Sequence, residues 1–215
     1  MSTHESPALP SRGLLTTGFV GSLLFGGAYL LLAGLAVGGR SGAVATLIPI
    51  LGIASVLGAI VMSIGIFASA RALTGWQIAS GIFAILAGIG GLALWLVPAL
   101  IQFNSSSDMR IVMVAVPSGT TLLWGIFAIT ANQKVSVADG SNLPIVVAGY
   151  LYGAGAILAG IGIKFGLGER GQTAGMLAAL SALIMASAVI VHGVGLLRLG
   201  GRRPAATEVH AVAAS

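Results

Sequence analysis

The sequence predicts an all-α, polytopic membrane protein with six transmembrane helices arranged as three tandem two-helix hairpin repeats. Three observations predict this fold. The 215 residues are 57% hydrophobic and only 7% charged, with a mean hydropathy of +1.05. The apolar residues form long runs, and one seven-residue apolar string occurs twice. A soluble domain of this length could not bury so much apolar surface, so we expect the chain to lie in a bilayer.

Six apolar runs are each long enough to cross a hydrocarbon core about 30 Å thick, which takes roughly 20 helical residues. Helices are predicted because backbone groups in lipid must be hydrogen-bonded within the segment, and the runs lack the alternation of barrel strands. The first run is longer than the apolar part of a signal peptide, so we expect it to be retained. The spans are predicted at about 14–37, 43–70, 76–101, 111–131, 143–165 and 174–199, forming a membrane domain over 14–200 between disordered tails at 1–13 and 201–215.

The repeated string AILAGIG occupies residues 84–90 and again residues 156–162. A looser copy in the first span begins at Gly27, so the odd-numbered helices read as copies of one another. Each copy with its following helix forms a hairpin, and an even number of crossings returns the chain to one side. Three hairpins in the same orientation are predicted, since one hairpin alone cannot bury its packing face.

Small residues recur at helical spacing within these copies. In lipid, helices associate through close van der Waals contact, which glycine permits. We interpret these glycines as helix-packing positions: Gly34, Gly38, Gly81, Gly88, Gly153 and Gly160.

Basic residues are spread over both ends of the predicted helices, with a weak excess on the side of the termini. This bias predicts that both termini are cytoplasmic. The cations form no concentrated patch, so we expect contact with anionic lipid headgroups and no nucleic-acid partner. The candidate headgroup residues are Arg71, Lys134, Arg198, Arg202 and Arg203.

Few residues could carry chemistry. The chain has no cysteine, and no Asp or Glu lies in a predicted span. Motifs of hydrolases, metalloproteases and P-loop proteins are missing, so no enzyme activity, catalytic residue, metal site or cofactor is expected. His192 is the ionisable residue clearly inside a span. It is either a pH-sensing proton acceptor or a neutral residue whose ring bonds a group on an adjacent helix, and the second interpretation is favoured.

Other polar and aromatic residues are interpreted as anchors. Four aromatic residues are assigned to the interfacial aromatic belt, Trp76, Trp95, Tyr150 and Tyr152, whereas Trp124 is placed deeper. Gln77 and Asn132 are predicted at span boundaries, where water would satisfy them.

Residues 75–98, GWQIASGIFAILAGIGGLALWLVP, together with the three hairpins over roughly 14–203, resemble the HdeD-like bacterial membrane proteins. The resemblance implies a non-enzymatic protein of the bacterial inner membrane with a role in acid or general stress resistance. His192 is then a candidate pH-sensing residue. Two alternatives stay open: an accessory subunit that packs with other membrane subunits or with copies of itself, and a transporter or channel for a small neutral solute.

Overall fold

A computed structural model describes residues 11–37, 42–69, 74–100, 107–133, 142–166 and 171–200. Each of these ranges contains one helix, so the described part of the chain is all-helical. The helices are α1 (Arg12–Val37), α2 (Gly42–Ala68), α3 (Gly75–Leu100), α4 (Ser107–Gln133), α5 (Leu143–Gly166) and α6 (Gly171–Gly200).

The six helices coincide with the six predicted spans to within about four residues at each end. The largest differences are at the starts of α4 and α6, which begin at Ser107 and Gly171. Pro49 and Pro117 lie inside α2 and α4 and do not end them. Five helices are long and apolar enough to cross a membrane, and α4 is the exception among the described residues. The fold is therefore that expected of a polytopic membrane protein.

The helices form a closed ring in chain order. Each helix packs against the next along the chain, and α6 packs back against α1. The first and last helices are thus neighbours, although 134 positions separate the end of α1 at Val37 from the start of α6 at Gly171. The interior of the ring is lined by every helix, and its largest buried side chains are Trp124 and Tyr152.

The α1–α2 contact depends on glycine because the two backbones approach closely. A Cβ added to Gly18 would lie 2.5 Å from the Cα of Gly65, and the reverse distance is the same. Similarly, a Cβ on Gly58 would lie 2.5 Å from the amide nitrogen of Phe25 and 2.9 Å from the carbonyl oxygen of Gly21. Only residues without a side chain permit this separation, which maximises dispersion contact in a lipid environment.

Large aliphatic side chains cover the outside of the ring. At least one such residue on each helix is well exposed: Val20, Ile50, Ile82, Val116, Ile157 and Leu183. A soluble monomer rarely exposes apolar surface around its whole circumference. The exposed side chains therefore fit contact with lipid tails.

Buried polar side chains connect neighbouring helices. The Ser63 hydroxyl on α2 donates to the carbonyl of Gly81 on α3 at 2.9 Å, and the Ser181 hydroxyl on α6 donates to the carbonyl of Gly155 on α5 at 2.7 Å. The Asn142 amide donates to a carbonyl of α4 at 2.6 Å. Between closely packed helices, each such bond satisfies a carbonyl and fixes the pairing of two helices.

Candidate functional site

Five aromatic side chains meet inside the ring of helices and form a buried aromatic cluster. Its members are Phe25 and Tyr29 on α1, Trp124 on α4, Tyr152 on α5 and His192 on α6. The three hairpins predicted from the sequence each contribute to it. We take this cluster as the candidate functional site because it contains both the largest buried side chains and the one described histidine.

Trp124 is the centre of the aromatic cluster. Tyr152 stacks on its indole with ring centroids 4.0 Å apart, and Phe25 lies nearly parallel to it at 6.1 Å. Tyr29 meets Phe25 edge-on at 5.9 Å. Aromatic pairs in these arrangements each contribute about 0.5–1.5 kcal/mol beyond the area that they bury. The cluster therefore holds α1, α4 and α5 together across the middle of the ring.

Gly125 and Gly149 provide the room for this stack. A Cβ on Gly125 would lie 2.6 Å from the carbonyl oxygen of Gly149 and 3.1 Å from the Cβ of Tyr152. The missing side chains let α4 and α5 approach until the two large rings overlap.

His192 is fully enclosed, with 1% of its surface exposed. Its Nδ1 lies 3.4 Å from the hydroxyl of Tyr152, and either group can donate, depending on the imidazole tautomer. The ring also lies 5.8 Å from Trp124. This is the geometry of the favoured interpretation from the sequence, in which the ring bonds a group on an adjacent helix.

The titratable groups around His192 come from the helices that pack on α6. Tyr152 faces it from α5, and Tyr29 belongs to the same cluster on α1. Arg198 on α6 and Arg12 on α1 are exposed at the ends of their helices. The side chains of the five acidic residues lie outside those described, and Asp108, the one on a described helix, is sixteen positions before Trp124, about 24 Å along α4. No negative charge among the described side chains balances a protonated His192.

A small cavity adjoins the aromatic cluster. Its volume, taken as the space open to the centre of a water molecule, is about 10 Å³. The residues that line it are Phe25, Tyr29, Ala87, Thr121, Trp124, Tyr152, Met185 and Val189. The indole N–H of Trp124 is buried and has no hydrogen-bond partner among the described residues.

Comparisons with protein-family models, with characterised proteins and with solved structures gave no match to this chain.

The structure places the predicted packing glycines in different surroundings. A Cβ on Gly88 would lie 2.6 Å from the Cβ of Ala59, and a Cβ on Gly81 would overlap the ring of Phe67, so both glycines pack against α2. Gly153 has more room, with the nearest side-chain atom 3.8 Å away.

Two further predicted glycines, Gly34 and Gly160, are exposed, and a Cβ on either would meet no described atom within 4 Å. Gly88 and Gly160 thus occupy the same place in the repeated string but have different neighbours.

The predicted headgroup residues are described only in part. Arg198 lies in the last turn of α6 and is exposed, as a headgroup contact requires. Arg71, Lys134, Arg202, Arg203 and the packing residue Gly38 lie outside the described residues, as do the tails at 1–10 and 201–215.

Three interpretations from the sequence were wrong. Asn132 is buried, and its amide donates to the carbonyl of Ala128 at 2.8 Å, so it does not depend on water. Tyr152 is no interfacial anchor, because it is completely buried. Gln77 does not depend on water, because its amide donates to the carbonyl of Ile66 at 2.6 Å and to the hydroxyl of Ser69 at 2.5 Å. Phe25 and Tyr29 were not identified from the sequence. For Tyr152, the sequence carried a usable signal. Gly149 and Gly155 lie three positions before and after it, a spacing that indicates a ring set between closely packed helices.

Proposed function

We propose that this chain is a non-enzymatic, six-span protein of the bacterial inner membrane that acts in acid or general stress resistance. Three tandem hairpins with both termini in the cytoplasm form its membrane domain. The HdeD-like motifs support the stress role, and the observation that carries the proposal is the enclosed His192 in the aromatic cluster. No cofactor or nucleic acid is part of the proposed function.

The six-span arrangement is supported by the ring of helices. Although α4 is less apolar than the others, it carries Trp124 into the core and packs between α3 and α5. Its outer face presents Val116 and Ile126, which suits lipid contact. A helix in this position crosses the membrane alongside its neighbours.

His192 supports a response to acid because the closed bundle does not stabilise its protonated, charged form. Protonation would put a cation beside Trp124 and Tyr152, without a described carboxylate to balance it, and an unpaired buried charge is strongly destabilising. The protonated ring is therefore more stable where it reaches water. Lowering the pH shifts the population toward an arrangement in which α5 and α6 have separated near the aromatic cluster.

The test compares His192→Gln with a control, His210→Gln, which removes a histidine from the C-terminal segment. Cells carrying His192→Gln should survive acid less well than cells carrying the unsubstituted protein or the control. Equal survival of the His192→Gln cells would refute the role of His192.

A spectroscopic measurement tests the same protonation without a survival assay. In a Trp76→Phe, Trp95→Phe background, Trp124 is the remaining tryptophan, and its ring lies 5.8 Å from His192. Separation of α5 from α6 on protonation of His192 should admit water to the indole and quench it. Emission should therefore fall as the pH is lowered and stay constant in the His192→Gln variant. A pH-independent emission with His192 present would contradict the proposal.

An accessory-subunit role is the second candidate, favoured by the uncovered positions of Gly34 and Gly160. The equivalent Gly88 is covered by α2, so the same sequence can seat a helix. Other membrane subunits or a second copy of the chain are the proposed partners, in addition to membrane lipids contacted by Arg198. Native mass spectrometry after gentle detergent extraction distinguishes the cases, because a stoichiometric partner subunit supports this role and a lone monomer refutes it.

The transport alternative has less support. A transported solute would need a polar path through the ring, and aromatic side chains fill the described centre. Transport of a small neutral solute would require Trp124 and Tyr152 to move apart.

A further inference from the structure

The cavity beside the aromatic cluster combines room, polar groups and an unsatisfied donor. Its volume of about 10 Å³ is close to the 10–15 Å³ that one enclosed water molecule needs. Four of its lining side chains are polar or carry a polar end: Tyr29, Thr121, Trp124 and Tyr152. An enclosed water requires two to four such partners.

Trp124 supplies the strongest argument. Its side chain is 1% exposed, and the indole N–H, which can only donate, has no partner among the described residues. Buried donors in native proteins nearly always have a hydrogen-bond partner, either protein or ordered water.

The neighbouring hydroxyls can complete the site. Thr121 donates its own proton to the carbonyl of Pro117 at 2.8 Å, which leaves the lone pairs of its oxygen free to accept. Tyr29 lines the cavity from α1, and its side chain ends in a second hydroxyl. The wall therefore offers a donor and acceptors, the set that a water molecule requires.

We propose that the cavity is a binding site for one water molecule, which accepts the indole proton of Trp124 and donates to the hydroxyls of Thr121 and Tyr29. Such a water joins α4 to α1, next to the Tyr152 ring of α5. It is a hydrogen-bonded junction between the first and second hairpins, in addition to the bond from the Ser63 hydroxyl to the carbonyl of Gly81. The proposal does not depend on the role of His192 in acid.

The chain offers a matched pair of variants for the test. Thr120 and Thr121 both donate to the carbonyl of Pro117 at 2.8 Å, but only Thr121 lines the cavity. Thr121→Val and Thr120→Val therefore each remove one hydroxyl and one bond to the same carbonyl, while Thr121→Val alone alters the cavity.

The experiment uses full-length protein in detergent micelles, with Trp76→Phe, Trp95→Phe and ¹⁵N-labelled tryptophan. Dipolar transfer from water to the Trp124 indole proton is measured in the laboratory and rotating frames, where its sign separates it from proton exchange. A water–indole cross-peak is expected, retained in Thr120→Val and reduced at least twofold in Thr121→Val. Trp124→Phe assigns the signal.

Two results would overturn the proposal. The first is a sharp indole signal without dipolar transfer from water. The second is equal transfer in the two valine variants, which would place the water outside this cavity. Should Thr121→Val fail to fold, the measurement on the parent protein alone decides.

Discussion

Gly58→Ala tests how far the bundle depends on backbone contact between α1 and α2. A Cβ at this position would lie 2.5 Å from the amide nitrogen of Phe25, whereas ordinary van der Waals contact begins at 3.4 Å. The nearest atoms belong to backbone, which cannot rotate away as a flexible side chain could. The two helices would have to separate by about 0.9 Å, and Phe25 would shift within the aromatic cluster.

The expected cost follows from two opposing effects. Overpacking of a well-packed core costs about 1–3 kcal/mol, and a contact with backbone falls in the upper part of that range. Alanine is a better helix former than glycine by about 1 kcal/mol. We expect Gly58→Ala to lower the free energy of unfolding by about 1–2 kcal/mol.

Gly27→Ala is the matched control on α1. A Cβ there would meet no described atom within 4 Å, so only the gain in helix propensity applies. The control should be as stable as the unsubstituted protein or up to about 1 kcal/mol more stable. Reversible unfolding by SDS in mixed micelles, followed by circular dichroism, measures both. If Gly58→Ala unfolds at the same SDS fraction as Gly27→Ala, the close approach of α1 and α2 is wrong.

Two polar contacts give further predictions. Ser63→Ala removes the bond to the carbonyl of Gly81 and should cost about 0.6–1.7 kcal/mol in the same unfolding assay. Ser187→Ala, which removes a bond within one exposed helix turn, should leave stability unchanged, and equal losses would argue against the α2–α3 bond. Gln77→Ala should cost about 1 kcal/mol, since the carbonyl of Ile66 loses the amide but keeps its bonds from Ser69. An unchanged unfolding midpoint would show that this amide does not join α2 to α3.

The helices could be predicted from the sequence because length and composition are local properties. A run of roughly 20 apolar residues must form a helix in lipid, wherever the rest of the chain lies. Pro49 and Pro117 lie inside α2 and α4 without ending them, which length and composition alone do not indicate. The hydroxyls of Thr120 and Thr121, one turn after Pro117, both donate to the Pro117 carbonyl. The helix accommodates the proline together with these two bonds.

The neighbours of each helix could not be predicted, because identical letters do not specify what they face. Gly88 and Gly160 end the same Leu-Ala-Gly sequence, yet of these two only Gly88 has another helix against it within the described part of the chain. Tyr152 shows the same limit. It lies nine residues into α5, about 13 Å along the helix axis, which places it near the middle of the bundle and not at an interface. The candidate site therefore emerged from packing across the ring, and His192 was its one member identified from the sequence.

Closure of the ring between α1 and α6 is the central claim, and a disulfide tests it most directly. A Cβ on Gly200 would lie 3.4 Å from the Cβ of Leu15, close to the 3.5–4.5 Å of disulfides. The chain has no native cysteine. Leu15→Cys with Gly200→Cys places one pair at this contact, and Leu14→Cys with Gly200→Cys, from the exposed face of α1, is the control.

The measurement is oxidation of the full chain in native membranes, followed by cleavage at a protease site inserted between α4 and α5. We predict that the two fragments stay joined by a disulfide in the Leu15 pair and separate in the Leu14 pair. This result also requires an even number of crossings, because the start of α1 and the end of α6 must lie on the same side of the membrane. Fragments that separate in both pairs would contradict the closed six-helix ring.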